Sequence, residues 1–143
     1  KTLSLFKLPQ YMVIHLKRFN FTTHSRDKVN TDVMFPMSEL DMSPYISTDA
    51  PTSTNRNGAL YDLVGVSHHS GGLNGGHYTA HVDISGGDTG VQSAWRFFND
   101  ARVSRVNTGG GSDRGSDTIQ AGIGGPSAYM LFYRMRQEKL IAI

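Results

Sequence analysis

The chain predicts a β-dominated α+β fold organised around an antiparallel sheet, and three observations predict it. Apolar residues come in short runs rich in β-branched and aromatic side chains, bounded by Gly, Pro, Asn and Ser. The run from His77 alternates, with Tyr78, Ala80, Val82 and Ile84 on one face and His77, Thr79, His81 and Asp83 on the other. Helical patterning is confined to residues 135–143 and a turn near Leu40.

At 143 residues the chain is long enough for one domain with a core and too short for two ordinary ones. Its 16 glycines and 38% hydrophobic content give loops a large share. A net charge of +2, scattered without a basic stripe, argues against nucleic acid as a partner. No apolar run is long enough to cross a membrane as a helix, and the first residues lack a signal peptide's apolar stretch. Without Met at position 1, the chain is expected to be part of a longer protein. The absence of cysteine excludes disulfides, thiolate metal sites and a thiol nucleophile within the chain.

Residues 11–19, which follow Pro9, read as the first strand. Lys17 and Arg18 point to opposite faces of it, so the pair reads as a solvent-exposed end or an ion pair. Residues 29–35, closed by Pro36, are a weaker second strand, and residues 61–67, after the turn-forming Asn57-Gly58, a third. Residues 77–84 form the alternating strand, and the unbroken apolar run 128–133 suits a buried central one. Trp95, Phe97 and Phe98 read as core. Residues 107–126, dominated by Gly, Ser and Asp, have too little apolar surface to offset the entropy of ordering and are expected to form a flexible insert.

Chemistry concentrates at Gly75-Gly76-His77-Tyr78-Thr79-Ala80. A turn through residues 85–90 links this strand to Ala94-Trp95-Arg96-Phe97-Phe98. A hairpin centred on Asp88 sets His77 opposite Asn99, within reach of an imidazole–amide hydrogen bond. A slip of one residue puts Phe98 or Asp100 there instead. A histidine beside an amide or carboxylate at a sheet end is the base-and-orienter part of a nucleophilic triad. One ring nitrogen takes a proton from a thiol or hydroxyl, and the other donates to the side chain that holds the ring. Glycines at 75 and 76 leave space for a substrate backbone. His68, His69, His77 and His81 also invite a metal reading, which the lack of thiolates, an HExxH helix or a carboxylate set disfavours. His15 and His24 read as structural or surface residues.

In these blocks the chain resembles the ubiquitin-specific proteases. Leu8-Pro9 with Ile14-His15-Leu16-Lys17-Arg18-Phe19 is similar to that family's "LP…iHLKRF" strand, and Val33-Met34-Phe35-Pro36 with Leu40-Asp41 and Tyr45 to its "v.FP..LdL..y" segment. Residues 61–71 followed by Gly76-His77-Tyr78-Thr79-Ala80 resemble its histidine box. Trp95-Arg96-Phe97-Phe98-Asn99-Asp100, Val103 and residues 128–133 complete the series in order.

The resemblance implies a deubiquitinase of papain-like cysteine-protease fold, with residues 1–143 as the C-terminal part of one catalytic domain: the palm and part of the fingers, without the helical thumb. It implies an intracellular thiol hydrolase with His77 as general base and Asn99 as third member, Asp100 standing beside it. Tyr78 would line the channel for the substrate's terminal Gly-Gly. Residues 20–30 and 68–75 would be the flanking loops, with His69, Ser70, Gly71, Gly75 and Gly76 near the ubiquitin tail. The implied partners are ubiquitin or ubiquitin conjugates and the N-terminal remainder of the same domain, with no nucleic acid and no membrane. The nucleophile, the oxyanion-hole Asn or Gln and the CxxC pairs for a structural zinc in the fingers belong upstream, so the chain itself would hold no cofactor and be inactive alone. Loss of the thumb is expected to bare an apolar patch on the face carrying His77. The alternatives are a catalytically dead ubiquitin-binding or scaffold module of the same fold, and a ubiquitin-like modifier as substrate.

Overall fold

The computed structural model describes residues 3–21, 26–51, 59–86, 94–106 and 123–136. The strands are β1 (Tyr11–His15), β2 (Phe19–Phe21), β3 (Arg26–Lys28), β4 (Leu40–Asp41), β5 (Leu60–Gly72), β6 (Gly75–Asp83), β7 (Trp95–Asn99), β8 (Arg102–Arg105) and β9 (Ala128–Met135). Among the described residues, seven strands build one sheet in the order β1-β9-β5-β6-β7-β8, with β4 on β5, while β2 and β3 form a separate hairpin. Every pairing is antiparallel. The expected sheet is therefore present, and residues 128–133 do lie in a central strand. Of the expected insert, residues 107–122 lie outside the described residues, as do residues 137–143 of the expected C-terminal helix. Met135, where that helix was to begin, instead ends β9.

Two strand assignments change, and one side chain explains both. The strand expected over residues 11–19 stops at His15, and residues 29–35 form no strand. Arg18 turns inward and is only 3% exposed. Its Nε donates to the Ala128 carbonyl at 2.9 Å, one terminal nitrogen to the carbonyls of Val29 and Thr31, and the other to that of Gly125. The carbonyls of residues 29 and 31 thus serve a guanidinium rather than a strand ladder. The expectation of an exposed or ion-paired Arg18 is corrected: it is buried and donates to four backbone carbonyls, which its rigid fork of donors suits. The turn near Leu40 is the short strand β4 followed by a 3-10 turn over Ser43–Tyr45, opened by Pro44 and by Asp41 accepting from the Ser43 amide at 2.8 Å.

The core lies on one face of the sheet. Tyr61, Leu63 and Val66 of β5 pack with Leu131 and Tyr133 of β9, Trp95 of β7, and Leu8, Phe35 and Ile123 from the connections. The two buried tyrosines donate to prolyl carbonyls, Tyr61 to Pro9 and Tyr133 to Pro36, which pins those connections to the sheet. Burial raises the pKa of both phenols, so their protons stay available for these bonds.

Strand β5 carries an extra residue: Leu63 faces Tyr133 and Gly65 faces Phe132, leaving Val64 as a bulge. The bulge resets alternation, so Tyr61 and Leu63 before it and Val66 and His68 after it share the inner face. The opposite face is the bare one. A row runs across it from Val13 through Phe132, Gly65, Val82 and Arg96 to Arg105. Tyr11 (61% exposed), Val13 (54%) and Val103 (56%) stand out from it. The apolar patch expected on the face carrying His77 is therefore not what the structure shows: that face is occupied by the chain's own core, and these exposed apolar residues stand on the other face, at opposite edges of the sheet.

Replacing Arg18 with Ala leaves four carbonyls without this donor. It is expected to lower the unfolding free energy by roughly 3 kcal/mol or more, read by urea denaturation beside wild type, and an unchanged midpoint would refute the cage.

Candidate active site

The inner face of β6 passes from solvent to core along His77, Thr79 and His81. His77 is exposed and accompanied by Asn99 at the end of β7, with Nε2 and the amide Oδ1 2.6 Å apart. Because a carboxamide oxygen only accepts, Nε2 carries the hydrogen and Nδ1 keeps its lone pair. Nδ1 has no hydrogen-bond partner among the described residues.

The register that produces this contact differs from the expected one. Ala80 faces Phe98, His81 faces Phe97, Val82 faces Arg96 and Asp83 faces Trp95, two residues away from a hairpin centred on Asp88. A shift of two keeps every side chain on its face, so Asn99 becomes a diagonal neighbour of His77 and still reaches it. Asp100 is not brought to His77. It sits exposed with φ 51 in the tight turn closed by the Asn99–Arg102 pair.

Residues 68–75 are not a loop. Strand β5 runs through Gly72, which faces Gly75 across a two-residue turn at Leu73 and Asn74. Residues 20–30 likewise contain the β2–β3 hairpin, with residues 22–25 outside the described set. Gly75 has φ +148 and open space where a side chain would be, matching the expected room for an approaching backbone. Gly76 differs: a methyl there would run into the His69 ring and come within 2.5 Å of the Ser70 carbonyl oxygen. At Gly71 (φ +119) the same space meets the Gly75 carbonyl oxygen at 2.6 Å.

His69 itself is buried, 4% exposed, packed 4.7 Å from Tyr78 and 5.5 Å from Phe19 between ring centres. Burial, then Lys28, lowers its pKa; the Lys28 ammonium donates to the His69 carbonyl at 2.6 Å. Among the expected substrate residues, Ser70 is exposed opposite His77, and Tyr78 is 54% exposed on the other face.

Of the four histidines the sequence grouped, the structure brings two together in a second constellation, and it adds Ser127, which sequence reasoning missed. His81 Nδ1 and His68 Nε2 lie 2.9 Å apart, and His68 Nδ1 lies 3.0 Å from the Ser127 hydroxyl. Alternation along β6 had put His81 on the His77 face. Finding His68 beside it required the β5–β6 register, and finding Ser127 required β9 to lie against β5. Burial, then His81, pushes the His68 pKa down to about 4, and burial lowers that of His81.

The ubiquitin carboxyl-terminal hydrolase family model matches residues 2–133, nearly the whole chain. The chain belongs to this family. It is 39% identical over 136 residues to ubiquitin carboxyl-terminal hydrolase 10 of Arabidopsis thaliana and 38% identical over 138 residues to ubiquitin carboxyl-terminal hydrolase 15 of Homo sapiens. These matches cover 94% and 96% of the chain but only 12% of each relative's length. Among solved structures it is similar to a chain of the SAGA DUB module bound to ubiquitin aldehyde, with TM-score 0.68 and 31% identity over 94% of this chain and 26% of that one. The same module bound to monoubiquitin gives TM-score 0.68 and 32% identity, covering 94% and 25%. In this member of the hydrolase family the Gly75-Gly76 pair does two jobs: Gly75 opens the hairpin tip, and Gly76 makes room for His69.

Two outcomes are expected. Gly76→Ala should cost about 1–3 kcal/mol by overpacking, whereas Gly72→Ala, with nothing within 4 Å, should leave thermal stability near wild type; equal behaviour of the two would contradict the packing. His68 folds with a pKa depressed from 6.5 to about 4. The stability this confers is present above pH 6.5 and lost as pH falls toward 4, at most about 3 kcal/mol. Urea unfolding at neutral and acid pH should show a smaller acid loss in His68→Asn than in wild type.

Proposed function

We propose that the protein containing this chain is a deubiquitinating, thiol-dependent hydrolase that cuts the bond after ubiquitin's C-terminal glycine, with this chain supplying the base and its orienting amide. The observation that carries the reading is the bond from His77 Nε2 to Asn99 Oδ1, made by an exposed ring whose Nδ1 is open. A buried histidine whose two nitrogens are both hydrogen-bonded within the protein, such as His68, is not placed to take a proton from a substrate. His77 is. Family membership and the likeness to structures described as ubiquitin-bound support ubiquitin as the modifier.

Nδ1 of His77 takes the proton of a cysteine thiol contributed from outside these 143 residues, which contain none. The resulting thiolate attacks the glycyl carbonyl carbon. The imidazolium returns the proton to the leaving amine as the C–N bond breaks, and a thioester remains. Water then loses a proton to the same nitrogen while attacking the thioester, and the thiol leaves reprotonated. Throughout, Asn99 holds the ring and its tautomer. Ser70, Gly75 and Tyr78 border the path of the ubiquitin tail at the hairpin tip. The oxyanion-hole donor, like the thiol, comes from the rest of the catalytic domain, as does any structural zinc of the fingers.

The full-length protein is expected to label with a cysteine-reactive ubiquitin probe and to hydrolyse a fluorogenic ubiquitin amide. His77→Ala should reduce kcat by about 10²–10⁴-fold and Asn99→Ala by about tenfold or more, with ubiquitin binding unchanged. The isolated 143-residue chain should release no fluorophore. Turnover by the isolated chain would overturn the division of the site. A full-length protein that binds ubiquitin but neither labels nor turns over would be a binding module instead.

A further inference from the structure

We propose that His68 and His81 form a binding site for a zinc-type transition-metal ion, with His68 Nε2 and His81 Nδ1 as its two protein ligands. The sequence groups four histidines, but the structure sorts them. His77 is engaged with Asn99, and His69 lies on the opposite face wedged against Gly76. That leaves a converging pair, 2.9 Å apart between nitrogens and seated on adjacent strands.

The geometry suits coordination. Two nitrogens bound at ordinary zinc distances in a tetrahedral shell are roughly 3.3 Å apart. The pair therefore needs to open by only about 0.4 Å, each ring turning roughly 35° off the line that joins them. The outer nitrogen of His68 is held by Ser127, the kind of outer partner that fixes a metal-binding imidazole's orientation and tautomer. An open cavity of about 350 Å³, lined by His68, Thr79, His81, Phe97, Gly124 and Ser127, lies at the pair. A water occupies about 30 Å³, so an ion with its remaining water ligands fits.

Two imidazoles with no carboxylate or thiolate companion select zinc, copper or nickel over magnesium or calcium. Among the described residues no group of three or more His, Cys, Asp or Glu converges on a metal position. The shell is therefore completed by water, and Thr79 lines the cavity between this pair and His77. The ion sits on the same sheet face as the His77–Asn99 pair but uses none of its atoms.

Zinc ion alone is the probe. In equilibrium dialysis of the full-length protein, wild type should retain one zinc more than His68→Gln or His81→Gln, while Ser127→Ala should weaken that site about tenfold. Crystals of the unsubstituted protein soaked in zinc chloride should show an anomalous peak between His68 Nε2 and His81 Nδ1, which keeps the test independent of how the variants fold. Equal zinc content in wild type and both glutamine variants, or a soaked crystal without that peak, would overturn the site.

Discussion

The extra residue at Val64 is the constraint on which the rest of this structure depends. Strand β5 is the longest in the sheet and sits between β9 and β6. Before the bulge its odd-numbered side chains face the core, and after it the even-numbered ones do. Without that reset Val66 and His68 would face the bare side, and Tyr61 and Leu63 could not share a core with Leu131. Because β6 pairs with β5 only beyond the bulge, from Gly65 onward, the reset also decides that His77 and His81 share the inner face with Val66 and His68. One inserted residue thereby couples the core to the site.

Arg18 is the second organising element, and it acts through the backbone. Its guanidinium gathers carbonyls from three separate stretches: residues 29 and 31 after β3, residue 125 before β9, and residue 128 at the start of β9. A buried cation is normally costly unless paired, and here four carbonyl dipoles take the place of a counter-ion. The segment before β9 also carries Ser127, whose carbonyl accepts the His69 amide at 2.8 Å and whose hydroxyl meets His68. The His68 side chain and the His69 backbone are thus tied to one strut.

The hairpin tip divides its glycines by function in physical terms. Gly71 and Gly76 are small because the space is already filled, by backbone at one and by the His69 ring at the other. Gly75 and Gly72 face open space. The tip is therefore packed tightly where the strands cross and open where a substrate backbone is proposed to pass, beside an imidazole whose free nitrogen faces away from Asn99.

Much of this was legible in the residues. Alternation from His77 to Ile84 placed His77 on its face, and the hairpin argument set Asn99 beside it despite a register error, because a shift of two residues preserves sidedness. Alternation also placed His81. It failed at residues 29–35, where a strand-like composition is overruled by a guanidinium taking the carbonyls, and at residue 64, where a bulge leaves no local signature. By itself the sequence determined the strand-rich fold, the family, the His77–Asn99 pair and the absence of a thiol. Only the tertiary structure decided which sheet face holds the core, that Arg18 is buried, and that His68, His81 and Ser127 meet. Those outcomes depend on the pairing of strands far apart in the chain, and local periodicity carries no information about that pairing.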